Sequence, residues 1–181
     1  MFSKLIAAAA IVLTMSAPAF AADSGNLQLF REVSKQVLRY PHFTVFDNVQ
    51  AEVNQGVVTL TGKVTMPYKS TDLEKRVAKL TGVNQVVNQI AVLPVSQFDD
   101  QLRYRIARAI YSNPNFWNYG LGPNPPIHIV VDHSRVTLEG VVLNDMDRLI
   151  ARTIATQQFG VMSVKNDLKT DAEIREAIER S

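Results

Sequence analysis

The sequence predicts an α+β protein of two tandem αββαβ modules, each a three-stranded mixed sheet packed against two helices. An internal repeat is the first observation behind this. Val53–Val64 reads against Val131–Val142, 78 positions on, and the same offset carries Gly82-Val83 onto Gly160-Val161 and Val86, Asn88 and Ile90 onto Val164, Asn166 and Leu168. Upstream the offset is 73, placing Leu29 on Leu102, Val37 on Ile110, Pro41 on Pro114 and Phe43 on Phe116, so the second copy carries five extra residues between Phe116 and Val131. Two copies of roughly 70 residues make tandem domains rather than a solenoid, which stacks shorter units. The second observation is periodicity, helical and then alternating, in the same order in each copy. The third is that three strands with one apolar face need two helices to cover it, and two are present per copy.

Each copy opens with a helix, carried by Leu29, Val33 and Val37 in the first and by Leu102, Ile106, Ala109 and Ile110 in the second. Pro41 and Pro114 mark where these helices stop, because the residue before proline is biased away from helix. Two strands follow, Val45, Val49, Ala51 and Val53 then Val58, Leu60, Gly62 and Val64, matched by Ile127, Ile129 and Val131 then Val136, Leu138, Gly140 and Val142. Asn54-Gln55-Gly56 and Asp132-His133-Ser134 make each pair a hairpin. Thr71-x-x-Glu74 reads as a capping box opening the second helix, with Asn144-Asp145 in its place in the second copy. Gly82 and Gly160 read as the C-caps, and third strands run through Val86–Ile90 and Val164–Leu168. Gly62 and Gly140, on the apolar face, are expected to let a helix backbone approach. Asn88 and Asn166, on the same parity, need hydrogen-bond partners, expected in a neighbouring loop. Thr170-Asp171-Ala172-Glu173 reads as a capping box for a short C-terminal helix with Ile174, Ala177 and Ile178 on its apolar face.

The organisation expected is therefore a signal peptide over residues 1–21, a first domain over 27–95, a second over 97–170 and a C-terminal helix over 171–181, with Leu93–Gln97 as the joint. Lys4 precedes an apolar run from Leu5 to Met15, and Ala19-Phe20-Ala21 fits the small-residue cleavage pattern. That run is too short for a bilayer core, which takes about 20 residues, and no cysteine follows it to carry a lipid. The mature chain is expected to start at Ala22, to have no transmembrane segment and to be exported to the periplasm, where it is soluble or peripheral on a membrane. A chain of 181 residues that is 46% hydrophobic and 20% charged is neither disordered nor collagen-like. The net charge of +2 calls for no nucleic acid partner, and the lack of cysteine excludes disulfides, thiolate metal sites and a cysteine nucleophile.

The paired pattern Val58-Thr59-Leu60-Thr61-Gly62-Lys63-Val64 with Gly82-Val83 through Ile90, repeated as Val136–Val142 with Gly160-Val161 through Leu168, resembles the BON domain family. The resemblance covers residues 27 to 170. A signal peptide followed by two such domains is similar to the osmotically inducible periplasmic proteins and their lipid-anchored relatives. It implies the αββαβ fold, no enzymatic activity, no cofactor, and a role in envelope maintenance or stress in which BON domains meet anionic phospholipid head groups. In a lipid-anchored relative the first helix of the second domain makes that contact. The chain departs from that relative in lacking the anchoring cysteine and in its insertion after Phe116.

The residues themselves show little sign of chemistry. His128 and His133 lie across a turn with opposite strand parity, which suits no zinc motif, and no nucleophile elbow or phosphate loop occurs. Asp99-Asp100 sit at a helix start, where acids favour the macrodipole. The helix from Gln101 to Tyr111 turns Tyr104, Ala107, Arg108 and Tyr111 outward, with Arg103 and Arg105 flanking its apolar stripe. That surface is either a solvated face, with arginine stems along the core edge, or a lipid-binding face. The candidate lipid-binding residues are Arg103, Tyr104, Arg105, Arg108, Tyr111 and Trp117, and no catalytic or metal-binding residue is assigned. Trp117, in the loop from Trp117 to Pro126, either plugs its own domain or belongs to a binding loop. The alternative function is a periplasmic protein–protein adaptor that does not bind lipid directly, using the exposed first strand or the aromatic loop on envelope proteins. Protein recovered from the envelope is expected to begin within a residue or two of Ala22, and N-terminal sequencing that finds Met1 intact on a soluble, cell-associated product sinks the export assignment.

Overall fold

The computed structural model describes residues 25–120 and 125–179; the expected signal peptide lies outside the described residues. In the first module helix α1 (residues 25–38) buries Leu29, Val33 and Val37 at helical spacing. Hairpin β1 (Asn48–Asn54) and β2 (Val57–Val64), helix α2 (Pro67–Val77) and strand β3 (Gln85–Val92) follow. The second module repeats the order with α3 (Gln97–Tyr111), β4 (Ile127–Asp132), β5 (Arg135–Val142), α4 (Asp145–Thr156) and β6 (Ser163–Thr170), and adds a 3-10 helix over Pro114–Gly120. Each sheet has its second strand central, antiparallel to the first and parallel to the third, with Val49 opposite Gly62 and Leu60 beside Asn88, as Ile127 is opposite Gly140 and Leu138 beside Asn166. Each module has its own core, built on Val33, Leu60 and Leu73 in the first and on Ile106, Phe116 and Leu138 in the second.

The hairpin turns are two-residue loops with both residues left-handed, Gln55 and Gly56 at φ +50° and +81° and His133 and Ser134 at +50° and +64°. This is the turn whose twist matches paired strands. Neither His133 nor Ser134 favours that conformation, and Asp99 supplies the compensation: its buried carboxylate accepts both of their amides at 2.9 Å. Asn26, 73 residues earlier, accepts the Gln55 amide at 3.1 Å in the same way.

Several local expectations are corrected. Helix α2 opens at Pro67 with no side-chain cap at Met66. Proline at the first helical position loses an amide that has no partner there anyway, so Thr71 and Glu74 fall inside the helix. Asn144 does cap α4, accepting the Asp147 amide at 2.9 Å. Helices α2 and α4 end on Ala78 and Gln157, and Gly82 and Gly160, both at φ +90°, serve the later turn into the third strand. Gly62 and Gly140 do not admit a helix. They sit at φ +115° and +117°, and a methyl there would stand 2.2 Å from the Asn48 carbonyl oxygen and 1.9 Å from that of Pro126, so the neighbouring strand is what needs the space. Asn88 and Asn166 are bonded to the second helix rather than to a loop, donating to the carbonyls of Ser70 (3.3 Å) and Arg148 (2.8 Å). Asn88 also donates to Glu74 at 2.8 Å. At the C-terminus α5 (Asp171–Glu179) opens on reciprocal bonds between Thr170 and Glu173. Glu173 pairs with Arg148 at 2.9 Å, Ile174 is exposed, and the side chains of Ala177 and Ile178 lie outside the described residues.

The joint is short. The Leu93 amide donates to the Val64 carbonyl at 2.8 Å, Leu93 is buried, and Ser96 already caps α3. Val45 lies before β1 rather than in it, and it belongs to the contact between modules: its carbonyl accepts the Ile129 amide at 2.7 Å. Phe43 packs on His128 and Phe46 on Tyr104, with ring centroids 5.5 and 5.0 Å apart, and Lys63 pairs with Asp132 at 2.9 Å. Asp47 fixes this crossing segment. Its carboxylate, fully buried, accepts from the amides and hydroxyls of Thr44 and Thr65 and from the Lys69 ammonium at 2.7 to 2.9 Å.

Two groups at this junction tie stability to pH. Burial alone would raise the Asp47 carboxyl, but the bonds from Lys69, Thr65 and Thr44 outweigh it and hold it below the usual range. Its contribution is present above about pH 4 and is lost as the pH falls through the depressed folded value. Burial pushes His128 below the usual imidazole value, against the pull of Asp47 and Thr44. The unfolded chain therefore takes up that proton first, and stability declines as the pH falls below about 6.5. Unfolding free energies measured from pH 7.5 downward should fall for the wild type and stay level for His128→Leu until carboxylates titrate; parallel curves refute the assignment. Lys69→Met, which strands Asp47 in the core, should cost about 3–5 kcal/mol at neutral pH.

Candidate functional site

Helix α3 presents the face on which a site was expected. Ser96 accepts the Asp99 amide at 3.2 Å and starts the helix four residues earlier than Gln101. Leu102, Ile106 and Ile110 are fully buried, so at 100° per residue the opposite face is left to Gln101, Tyr104, Arg105 and Arg108. These four line a shallow depression of about 330 Å³. Tyr104 is 67% exposed even though its ring lies edge-on to Phe46. Neither Arg105 nor Arg108 has an ion-pair partner among the described residues.

Two of the six expected residues leave this face. Arg103 is 3% exposed: its guanidinium donates to the Val131 carbonyl at 2.6 Å and pairs with Asp100. Its position beside the apolar stripe overhangs the outer edge of β4, where a carbonyl needs a donor. Tyr111 is half-buried, and its hydroxyl donates to the Ile127 carbonyl at 2.7 Å. Burial drives that hydroxyl well above the usual phenol value.

Trp117 is 67% exposed on the 3-10 helix. The plug is Phe116, fully buried in the second core, with Tyr119 packed beside it. The Tyr119 hydroxyl donates to Asp147 at 2.6 Å and accepts the Leu143 amide at 2.8 Å, and burial and the Asp147 carboxylate push it up to about 12. Residues 121–124, the rest of that loop's centre, lie outside the described residues. What sequence reasoning missed is Asp99 as the brace of the β4–β5 turn. The available clue was Asn26, which the repeat offset places beneath it. Among the described residues no three His, Asp or Glu side chains gather as metal ligands, and no helix is long and apolar enough to cross a membrane.

The BON domain family model matches residues 28–94 and 98–180. No curated protein matches the chain. Among solved structures, the chain is similar to the C-terminal domain of CdsD, the structural protein of the type III secretion system of Chlamydia trachomatis, at 13% identity and a TM-score of 0.34, over 83% of this chain and 68% of that one. A second structure of CdsD gives 14% identity and a TM-score of 0.28, over 85% and 99%.

Arg103→Leu should lower stability by about 1–3 kcal/mol, since it leaves the buried Val131 carbonyl without its donor. Arg105→Gln, a surface change, should stay within about 0.5 kcal/mol. Urea unfolding with unchanged m-values reads both, and equal effects would remove the distinction between the two arginines.

Proposed function

The chain belongs to the BON domain family, and from that premise we propose that it is a non-enzymatic protein of the bacterial envelope that adsorbs to anionic phospholipid through the exposed face of α3. One observation carries this reading: Arg105 and Arg108, without ion-pair partners among the described residues, line one depression with the exposed Tyr104. Tyr104 has an apolar body and a polar tip, suited to head-group depth, and the arginines attract phosphates. Trp117 offers a second exposed aromatic ring. Asp100, which would repel such a surface, is paired with Arg103. Arg103 and Tyr111 serve the fold instead of the membrane.

Each basic side chain near an anionic surface contributes on the order of 1 kcal/mol, so two give about 2 kcal/mol, enough for transient adsorption without anchoring. Export and residence in the periplasm, peripheral on a membrane, fit this role and rest on the first 21 residues. Cosedimentation of the mature chain with phosphatidylglycerol-containing and purely phosphatidylcholine vesicles tests it. The wild type should bind the anionic vesicles, less so as salt is raised, and Arg105→Gln with Arg108→Gln should weaken binding about 30-fold. If the double variant binds like the wild type, or no vesicle is bound, the reading fails and a protein-interaction role replaces it.

A further inference from the structure

The two modules treat the outer edge of their first strand in opposite ways. In a hairpin closed by a two-residue turn, the residues flanking the turn exchange both ladder bonds, and the residues that alternate with such bonded ones point their amides and carbonyls away from the partner strand. On β4 those residues are Ile127, Ile129 and Val131. Three groups meet them: the Tyr111 hydroxyl bonds the Ile127 carbonyl, the Val45 carbonyl takes the Ile129 amide, and Arg103 bonds the Val131 carbonyl. All three residues are fully buried.

On β1 the equivalent residues, 78 positions earlier, are Val49, Ala51 and Val53. They are only half-buried, and their outward backbone groups have no hydrogen-bond partner among the described residues. The residues of α1 that match Arg103 and Tyr111, 73 positions earlier, are Phe30 and Leu38. Neither side chain can donate a hydrogen bond. They are 42% and 49% exposed and, with Phe43, wall an apolar groove of about 320 Å³ whose floor includes Val49 and Ala51. An open strand edge is a template for another chain, and folded proteins usually block it.

We propose that this groove binds an extended, uncharged segment of another polypeptide, apolar at alternate positions, which adds to β1 as a further strand. Three observations fix that chemistry. No Asp, Glu, Lys or Arg lines the groove, so the segment is uncharged where it is buried. The groove is continuous with the contact between modules, since Phe43 and His128 belong to both. And the chain already shows the mode of binding at the other edge, where the stretch around Val45 gives its carbonyl to Ile129 and sets Phe46 against Tyr104. Main-chain bonds then give affinity, and the apolar wall selects side chains. This surface lies on the first module and does not depend on lipid binding by α3.

The probe is a short, capped, fluorescein-labelled peptide of alternating threonine with valine and phenylalanine, ended by lysine pairs for solubility. Fluorescence polarisation should show saturable binding to the wild type, unaffected by Arg105→Gln with Arg108→Gln. Phe30→Arg with Leu38→Tyr rebuilds the closed edge of the second module and should weaken binding at least about tenfold, and so should Ala51→Pro, which removes an outward amide without touching the ladder. A peptide N-methylated at alternate amides should lose as much against the unaltered protein, which keeps the test independent of how the variants fold. No binding by the wild type, or full binding by the N-methylated peptide, overturns the proposal. Sedimentation that shows a wild-type dimer converted to monomer by Phe30→Arg with Leu38→Tyr overturns it in favour of a second copy of this chain.

Discussion

A strand at the edge of a sheet carries a row of backbone groups that burial forbids leaving unpaired, and on β4 that requirement organises much of the second module. Ile127, Ile129 and Val131 are buried on an edge, and one outward group of each is given a partner from outside the sheet. Two come from α3, which is why Arg103 and Tyr111 turn inward from a helix whose remaining polar residues face out. The third comes from the first module, which lays its Phe43–Asp47 stretch along the strand. The contact between modules is thus an outcome of closing one edge. Asp47 holds the crossing stretch in shape: a carboxylate with five donors around it is costly to bury and costlier to disturb, and it binds the turn at Thr44 to the start of α2 at Lys69.

The duplication was legible because both copies keep the residues that backbone geometry demands. Gly62 and Gly140 must lack a side chain where a strand carbonyl presses on them, and Asn88 and Asn166 must bond a helix carbonyl, so both pairs persist at one offset. Their partners were not legible, since parity along a strand tells which face a residue is on but not which element covers it. The start of α2 was misplaced for a related reason. A capping-box pattern at Thr71 competes with proline at Pro67, and proline prevails because its fixed φ and missing amide already suit the first turn. The candidate site was legible by half. Helical spacing put Tyr104 and Arg108 outside, as they are, but put Tyr111 there too and left Arg103 and Arg105 alike at the margin of the apolar stripe; Arg103 and Tyr111 were decided by acceptors on a strand more than fifteen residues away in sequence.

The differences between the copies carry more information about use than the similarities. At the turn into the third strand, Gly160 lies under the ring of Phe98, where an added methyl would be 2.6 Å from the ring, while at Gly82 the nearest atom is a Leu29 methyl at 3.8 Å. Phe98 corresponds to Gly25, and Phe116, fully buried, to the half-buried Phe43. The second module fills its grooves with its own aromatic residues and closes two points of its strand edge with its own polar ones. The first leaves its counterparts open and lends an aromatic stretch to its neighbour.

The two proposed surfaces divide along that asymmetry. A cationic, aromatic helix face acts through charge, falls off within a Debye length and weakens with salt. An apolar groove beside unpaired amides acts through main-chain hydrogen bonds and buried area, which salt does little to oppose. Because the first surface is on α3 and the second between α1 and β1, the modules can respond to different partners under the same conditions. They are not independent, though. Phe43 lines the groove, and the stretch it begins bonds β4 and reaches Tyr104 through Phe46, so the two proposed surfaces share one stretch of chain. Coupling of this kind requires that the two occupants favour different placements of one shared element. The Phe43–Asp47 stretch is the element both proposed surfaces touch, and the buried Asp47 carboxylate, with its five donors, resists its displacement.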